Sequence, residues 1–254
     1  MNVRSVLVPV AAIVIFGLFW EFLVWANGWP NYVMASPSDL PPAYARYWEL
    51  FLVMGWQTLW RTVVGLLLAV VFGVLLGMVM GFSRLMRDAL YPLLVGFNAI
   101  PKATLVPIIA LLFVGQHNFN TVMIAFLISF FPIAVSVSIG LSTLEPEYRD
   151  ILRSLGASKT TIFWKIALPK TLPEFFGALK VAVTLAFIGT NLMEIVSPHG
   201  RGLGALFDSG KTNSDYPLMF AVLIALALMG IVLYYVVVAL EKIFAGWAER
   251  SPSY

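Results

Sequence analysis

Residues 150–169 read DILRSLGASKTTIFWKIALP and form a polar, basic segment between apolar runs long enough to cross a membrane. Over residues 144–171 the acidic side chains come before the basic ones, an order that suits the dipole of a helix: Glu145, Glu147 and Asp150 precede Arg153, Lys159 and Lys165. Gly156 stands where a helix ends or turns, and Pro169 is expected to stop a second helix. A loop of this length exceeds the need of a connector, so we expect it to contact a soluble partner. We predict two short helices lying on the membrane surface, with a knob exposed at their turn: Leu155, Ala157 and Ser158.

The composition is that of an integral membrane protein. Of the 254 residues, 60% are hydrophobic and 11% are charged, whereas a soluble domain carries about 25% charged residues. A membrane helix needs roughly 20 mainly apolar residues, so six such stretches predict an all-α membrane protein with six transmembrane helices. The stretches are Val6–Ala26, Thr58–Met80, Leu90–Val114, Thr121–Leu141, Phe175–Val196 and Leu218–Leu240.

The basic residues predict which side of the membrane each loop faces. With the N-terminus inside, the outer side carries only Arg46, Arg61, Arg201 and Lys211. The inner side then carries Arg4, Arg84, Arg87, Arg149, Arg153, Lys159, Lys165, Lys170, Lys180, Lys242 and Arg250. This imbalance follows the positive-inside rule and predicts that both termini and the 142–174 loop are cytoplasmic. It also accounts for the net charge of +3 without nucleic acid.

The second stretch carries small residues four apart, and therefore on one helix face: Gly65, Ala69, Gly73, Gly77 and Gly81. In lipid, close backbone approach at small residues is a main source of helix association. The face is expected to contact either another helix of this chain, which we favour, or a second subunit.

Prolines interrupt the third stretch at Pro92, Pro101 and Pro107, and each removes a backbone donor. Irregular backbone persists at membrane depth only when it is buried in protein or faces a watery cavity. The segment around Ile100 and Pro101 is therefore either part of a polar pathway and hinge, or a simple kink.

Three ionisable residues lie in or near the apolar runs, where a charge costs about 2.5–3.5 kcal/mol or more at the bilayer centre. Glu21 is expected to snorkel at the outer end of the first helix. Lys102 either meets an anionic solute or reaches the inner surface through its long stem. Glu194, in a polar patch with Asn191, either lines a route or holds two helices together.

Residues able to carry catalysis are not grouped in this sequence. There are 0 cysteines, hence no thiolate and no zinc cluster, and neither a Ser-His-Asp nor a paired-carboxylate pattern occurs. The glycines of 200–204 lack the preceding buried strand of a dinucleotide fingerprint and are expected to form a flexible outer turn. The chain also lacks the phosphate-binding loop of an ATPase.

The 150–169 segment resembles the cytoplasmic loop of permease subunits of bacterial ABC importers with the type I fold. That loop reads Glu-Ala-Ala, three residues, Gly, nine residues, Ile, one residue, Leu-Pro. Here Asp150 keeps the charge of the first position, and bulkier residues follow it where alanines are usual. The matching positions are Gly156, Ile166, Leu168 and Pro169.

The resemblance extends from about residue 58 to residue 240. Within the family it points to the nitrate, sulfonate and taurine branch, which also includes phthalate and pyrimidine vitamin-precursor permeases. The motifs that resemble this branch are Ile100-Pro101 with Pro107, Phe130-Phe131-Pro132-Ile133, Glu194 and Gly202-Leu203-Gly204.

The resemblance implies a multi-pass permease of the bacterial inner (plasma) membrane that moves a small, anionic solute and is not itself an enzyme. It implies a homodimer, although pairing with a paralogue stays open, two cytoplasmic ATPase subunits that bind ATP and Mg, and a periplasmic or lipid-anchored binding protein. No cofactor, catalytic residue or metal site is expected in this chain. The alternatives are an ion-gradient-driven secondary transporter and, less favoured, a membrane enzyme or scaffold.

The expected organisation has three parts. Residues 1–57 hold the first helix and an external segment that contains a short interfacial helix. Residues 58–241 form the permease core with the 142–174 coupling loop, and residues 242–254 form a cytoplasmic tail. The residues expected to couple to the ATPase are Asp150, Leu155, Gly156, Ala157, Ser158, Ile166, Leu168 and Pro169. Those expected on the translocation pathway are Asn98, Pro101, Lys102, Asn191 and Glu194.

Overall fold

The computed structural model describes residues 3–142, 151, 154–197 and 200–247, and these residues contain helices and no strand. The expected coupling residue Asp150 lies outside the described residues. In chain order the elements are α1 (Val3–Asn27), a 3-10 turn (Pro37–Asp39), α2 (Leu40–Phe82), α3 (Arg84–Ala99), α4 (Lys102–Leu112), α5 (His117–Ser142), α6 (Lys159–Ile162), a π-helical turn (Phe163–Ala167), α7 (Leu168–Val196), α8 (Leu203–Thr212) and α9 (Tyr216–Phe244). The predicted all-α class is confirmed.

Helices long and apolar enough to cross a membrane make up most of the described chain. α3 and α4 pass the same test only together, and they meet at an angle of 88°. The third predicted stretch is therefore not one straight helix, because the chain turns sharply where the sequence led us to expect irregular backbone. α1 contributes a shorter apolar stretch, Ala11–Asn27. The four long segments are Pro37–Phe82, His117–Ser142, Phe163–Val196 and Tyr216–Phe244.

The small-residue face of α2 packs against α5, so the favoured intrachain alternative is confirmed. A Cβ atom built on Gly77 would lie 2.7 Å from the carbonyl oxygen of Ala134. One built on Gly73 would lie 2.9 Å from the carbonyl oxygen of Phe130. Glycine is needed on this face because a side chain would push the two backbones apart.

The helix that follows the loop is longer than predicted. The expected stop at Pro169 is wrong, since helical residues continue from Lys159 through α6, the π-helical turn and α7 to Val196. A proline breaks a helix when its ring clashes with the carbonyl of the preceding turn. Here Pro169 lies in the first turn of α7, directly after the π-helical turn, where a missing N–H is tolerated. We call residues 159–196 the rod; its residues follow one another in helical conformation.

The segment between α1 and the second span contains a short helical piece, as predicted. α2 begins at Leu40, and non-helical backbone at Tyr47 separates residues 40–46 from the rest of this 43-residue element. The Tyr47 hydroxyl donates a hydrogen bond of 2.7 Å to Oδ2 of Asp215, which precedes α9. A membrane span needs only about 20 residues, so roughly half of α2 is available to pack against the α8–α9 region.

Glu21 does not simply snorkel. Its carboxylate accepts hydrogen bonds from the backbone N–H of Ser38, at 3.0 Å, and from the Ser38 hydroxyl, at 2.9 Å. The charge near the end of α1 therefore satisfies a donor in the first turn after Pro37, where a carboxylate is favoured by the orphan N–H groups.

The Gly77→Ala variant is expected to lower the free energy of unfolding by about 1–3 kcal/mol, because the new methyl group overpacks the α2–α5 contact. The matched control is Gly177→Ala in α7, where an added Cβ meets nothing within 4 Å. The control is expected to be neutral or to gain up to about 1 kcal/mol from helix propensity. Thermal unfolding of both variants in one detergent measures the difference, and equal effects would contradict the assigned packing.

Candidate functional site

Two ends of the helix bundle carry the polar residues of interest. We call the end with residues 154–162 the loop end, and the end where Arg61 meets Glu194 the network end. Arg61 on α2 and Glu194 on α7 form an ion pair of 3.1 Å with side chains 2% and 1% exposed. Such a pair is stable only if its remaining hydrogen-bonding groups are also satisfied.

The guanidinium of Arg61 has a partner for each of its five N–H groups. Nε and Nη2 donate to Oδ1 of Asn118 at 3.0 and 2.7 Å, and Nη2 also donates to Oε1 of Gln57 at 2.7 Å. Nη1 donates to Glu194 at 3.1 Å and to the carbonyl oxygen of Arg201. One side chain thus joins α2, the first turn of α5, α7 and the segment before α8.

The carboxylate of Glu194 is equally well bound. Oε2 accepts a hydrogen bond of 2.8 Å from the Thr58 hydroxyl and one of 3.1 Å from the backbone N–H of Gly204. Gly204 lies in the first turn of α8, where unpaired N–H groups and the helix dipole favour a negative charge. The Thr58 hydroxyl oxygen also accepts a bond of 2.8 Å from the N–H of Leu203.

The 200–204 segment is closely packed, so the prediction of a flexible turn is wrong. Gly202 has φ of +138°, and a Cβ atom there would collide with the carboxyl group of Glu194. A Cβ on Gly204 would lie 2.8 Å from the carbonyl oxygen of Asn191. Glycines are required here because α8 approaches the buried carboxylate through its backbone.

In the sequence, Arg61 was counted only as a basic residue of the outer side, and its pairing with Glu194 was not predicted. The signal was present, since Arg61 stands four residues before Gly65 and continues the small-residue face of α2 into the protein. A charge on a packed face must find a partner, and Glu194 was the available acid.

The bend between α3 and α4 is held by two of the predicted pathway residues. Nζ of Lys102 donates to Oδ1 of Asn98 at 2.7 Å and to the backbone carbonyl oxygen of Asn98. An ammonium at a helix C-terminus satisfies carbonyls that lack an intrahelical partner. Pro101 lies between the two helices and is exposed.

Asn191, the fourth predicted pathway residue, lies in α7. Its Nδ2 donates to the carbonyl oxygen of Phe187 at 2.7 Å, whereas its buried Oδ1 has no partner in the described chain. The structure brings Asn98 and Lys102 together, and it brings Glu194 to Arg61. No hydrogen bond within the described residues joins the α3–α4 bend to Asn191 or Glu194.

At the loop end, a turn precedes the rod. Gly156 has φ of +83°, a conformation that most side chains disfavour, and Leu155 beside it is 78% exposed. The Ser158 hydroxyl accepts a hydrogen bond of 3.1 Å from the N–H of Thr161, which caps α6. Ala157 was expected in the exposed knob, but it is half-buried against the core. The knob in the structure is therefore Leu155 with Ser158.

The remaining predicted coupling residues lie in the rod rather than in the knob. Ile166 is half-buried against the core, and Pro169 lies in the first turn of α7. Leu168 lines an apolar cavity of about 210 Å³ together with Phe163 and Phe175. These side chains pack the start of the rod against α2 and α5.

Comparison with known proteins identifies the family. Residues 69–249 match the family described as binding-protein-dependent transport system inner membrane component. The chain belongs to this family. It is therefore a multi-span inner-membrane permease of the ABC importer type, as its loop sequence led us to expect.

Relatives and a solved structure agree with this assignment. The chain is 33% identical over 235 residues to the formylaminopyrimidine transport permease protein of Halalkalibacterium halodurans, covering 92% of this chain and 93% of the relative. It is 26% identical to the taurine transport system permease protein of Escherichia coli K12, covering 84% and 82%. The methionine ABC transporter MetNI, in an inward-facing conformation, gives a TM-score of 0.65 at 20% identity, covering 78% of this chain and 96% of that chain. This last likeness shows the type I importer permease fold.

The Arg61→Met variant of this permease is expected to lose about 3–5 kcal/mol of stability, because Glu194 is left buried without its partner. The double variant Arg61→Met/Glu194→Met is expected to recover at least half of that loss, since no buried charge remains. Thermal unfolding of the two single variants and the double variant measures the coupling.

The matched control is the second ion pair, Lys180–Glu241, at 2.8 Å with side chains 26% and 16% exposed. Because this pair is less enclosed than Arg61–Glu194, Lys180→Met is expected to cost clearly less stability than Arg61→Met. Purely additive losses in the Arg61 and Glu194 variants would contradict the buried-pair assignment.

Proposed function

We propose that this permease forms, as a homodimer, the translocation pathway of an ATP-driven importer for a small solute. Two cytoplasmic ATPase subunits would bind ATP and Mg, and a periplasmic or lipid-anchored binding protein would deliver the solute. Family membership supports this proposal, and so do the relatives named for transport of formylaminopyrimidine and taurine.

The observation that carries the proposal is the exposed knob at the start of the rod. Leu155, a large apolar side chain, is 78% exposed on a turn in which Gly156 adopts φ of +83°. An exposed apolar side chain on a turn of defined geometry suits insertion into a groove of a soluble protein. The rod begins three residues after Gly156 and reaches Glu194, so a displacement of the knob is carried towards the network end.

The proposed orientation places the loop end in the cytoplasm with both termini. The excess of Lys and Arg on that side supports it. The network end, with α8 and the residues that precede α5, then faces outwards and receives the solute.

The proposed pathway includes the bend at Asn98, Pro101 and Lys102, and Asn191 in α7. The 88° turn and the buried, unpartnered amide oxygen of Asn191 support this, since irregular or polar groups at membrane depth otherwise carry a large cost. The geometry of Glu194 favours the packing alternative, because each of its carboxylate oxygens is hydrogen-bonded within the protein.

The buried Arg61–Glu194 pair supports an ATP-driven importer rather than a transporter driven by an ion gradient. A gradient-driven transporter needs an ionisable group that can exchange its ion with water during transport. Arg61 and Glu194 are enclosed and fully bonded, which suits a structural role.

The Gly156→Val variant is expected to lose most ATP-coupled uptake, because a β-branched residue is strained at φ of +83° and would distort the knob. The matched Gly156→Asn variant is expected to retain most of it, since Asn tolerates this conformation. The measurement is solute uptake per ATP hydrolysed, with the permease and its ATPase reconstituted in vesicles.

Membrane insertion of both variants should match the unmodified chain, since an added Cβ meets nothing within 4 Å of Gly156. The backbone strain at this position is expected to cost Gly156→Val about 1–2 kcal/mol of stability, and Gly156→Asn less. Normal coupled uptake by Gly156→Val would count against the docking role of the turn. Uptake that persists in vesicles without an ATPase and follows an ion gradient would favour the secondary-transporter alternative.

A further inference from the structure

A polar cavity of about 580 Å³ lies beside the Arg61 network, at the network end. This volume is in the range of sites that bind small molecules. Its lining is rich in hydrogen-bond donors, and none of the described residues that line it carries a carboxylate. The lining side chains that matter here are Gln57, Arg61, Gln116, His117, Asn118 and Arg201.

The two arginines in this lining differ in what they can offer a ligand. Arg61 has each of its N–H groups bonded within the protein, so it contributes charge but no free donor. The side chain of Arg201 is exposed and makes no hydrogen bond within the described residues. Its backbone carbonyl is held by Arg61, which fixes the position of the residue while leaving the guanidinium free.

Other donors point to the same ligand chemistry. Asn118 uses its amide oxygen for Arg61, so its NH₂ group is left to donate. His117 is held through Nδ1 by the Ser197 hydroxyl at 2.6 Å, which leaves the other ring nitrogen for a ligand. A group of acceptor oxygens with negative charge, such as a sulfonate or carboxylate, matches this set.

A second cavity, of about 430 Å³, contrasts with the first and lies on the Glu194 side of the ion pair. Glu194 and Asp208 contribute to its lining, together with Ser209 and Thr212, and no basic side chain contributes among the described residues. The buried pair thus separates a cationic cavity from an acidic one. This contrast provides an internal control of opposite sign.

We propose that the cavity lined by Arg201, Gln116 and Asn118 is an anion-accepting site at the outer mouth of the permease, where a sulfonate or carboxylate group of the solute first binds. This assignment rests on the proposed function for its direction of entry. The free guanidinium of Arg201 supplies the charge, and the Arg61 network holds the backbone of Arg201 in place.

The absence of cysteine in the chain allows a direct test with single-cysteine variants. Gln116→Cys places a thiol in the cationic cavity, and Thr212→Cys places one in the acidic cavity. Each thiol is reacted, in right-side-out membrane vesicles, with anionic 2-sulfonatoethyl methanethiosulfonate or with its cationic trimethylammonium analogue. Both reagents form a disulfide with the thiol and release methanesulfinate, so the ratio of their rates reports the local potential.

At Gln116→Cys the anionic reagent is expected to be favoured over the cationic one. The ratio of their labelling rates is expected to be about three- to five-fold higher than the same ratio for a free thiol in solution, which is the effect of one positive charge nearby in water. Adding Arg201→Gln is expected to abolish this excess. At Thr212→Cys the ratio is expected to fall below that of the free thiol. Excess ethanesulfonate is expected to slow the labelling of Gln116→Cys, whereas excess tetramethylammonium is not.

Equal ratios at the two cysteines would overturn the proposal, as would an excess that survives Arg201→Gln. Faster labelling by the anionic reagent that ethanesulfonate does not slow would show a positive surface potential without a binding site. That result would also overturn the proposal. These readouts need no ATPase, so they are independent of transport. ATP-coupled uptake that is normal in Arg201→Gln, together with equal labelling ratios, would remove this site and leave the proposed function standing.

Discussion

Taking a guanidinium and a carboxylate out of water costs several kcal/mol per ion, and Arg61 and Glu194 are both almost fully enclosed. The pair persists because every donor of Arg61 is bonded and both oxygens of Glu194 accept hydrogen bonds. These bonds come from α2, α5, α7 and the start of α8. The position of each of these elements at the network end therefore depends on the same buried charge pair.

The rod connects this network with the loop end. Residues 159–196 are helical throughout, although a π-helical turn and Pro169 lie near their start. At the loop end the rod begins beside the exposed Leu155, and near its other end Glu194 receives Arg61. In the proposed mechanism, a displacement of the knob would pass along the rod to the network end as a movement of packed helices.

Much of the fold was predictable from sequence, because lipid imposes simple rules on length and on small residues. The apolar stretches predicted the helices, and the spacing of Gly73 and Gly77 predicted a closely packed face on α2, although not that α5 would cover it. The spacing of Gly156, Ile166 and Pro169 pointed to the family. These signals are local, so a single chain is enough to reveal them.

The site was only partly predictable, because its contacts join residues far apart in sequence. Glu194 was recognised as unusual, but its partner stands 133 positions earlier and was counted only among the basic residues of the outer side. The glycines of 200–204 were expected to be flexible, whereas they allow the backbone of α8 to reach a carboxylate. Pro169 was expected to end a helix, because the sequence gives no sign of the π-helical turn that precedes it.

The two ion pairs on α7 also relate the protein to the thickness of its bilayer. Lys180 and Glu194 are fourteen positions apart on one helix, which corresponds to a rise of about 21 Å. The hydrocarbon core of a typical bilayer is about 30 Å thick, and tilting the helix only shortens the projected distance. Both charges cannot then lie at opposite surfaces of an undeformed bilayer, so at least one of them is held at hydrocarbon depth. A thinner membrane lowers the free-energy cost of holding a charge at that depth. The stability of this permease is therefore expected to depend on the acyl-chain length of the surrounding lipid.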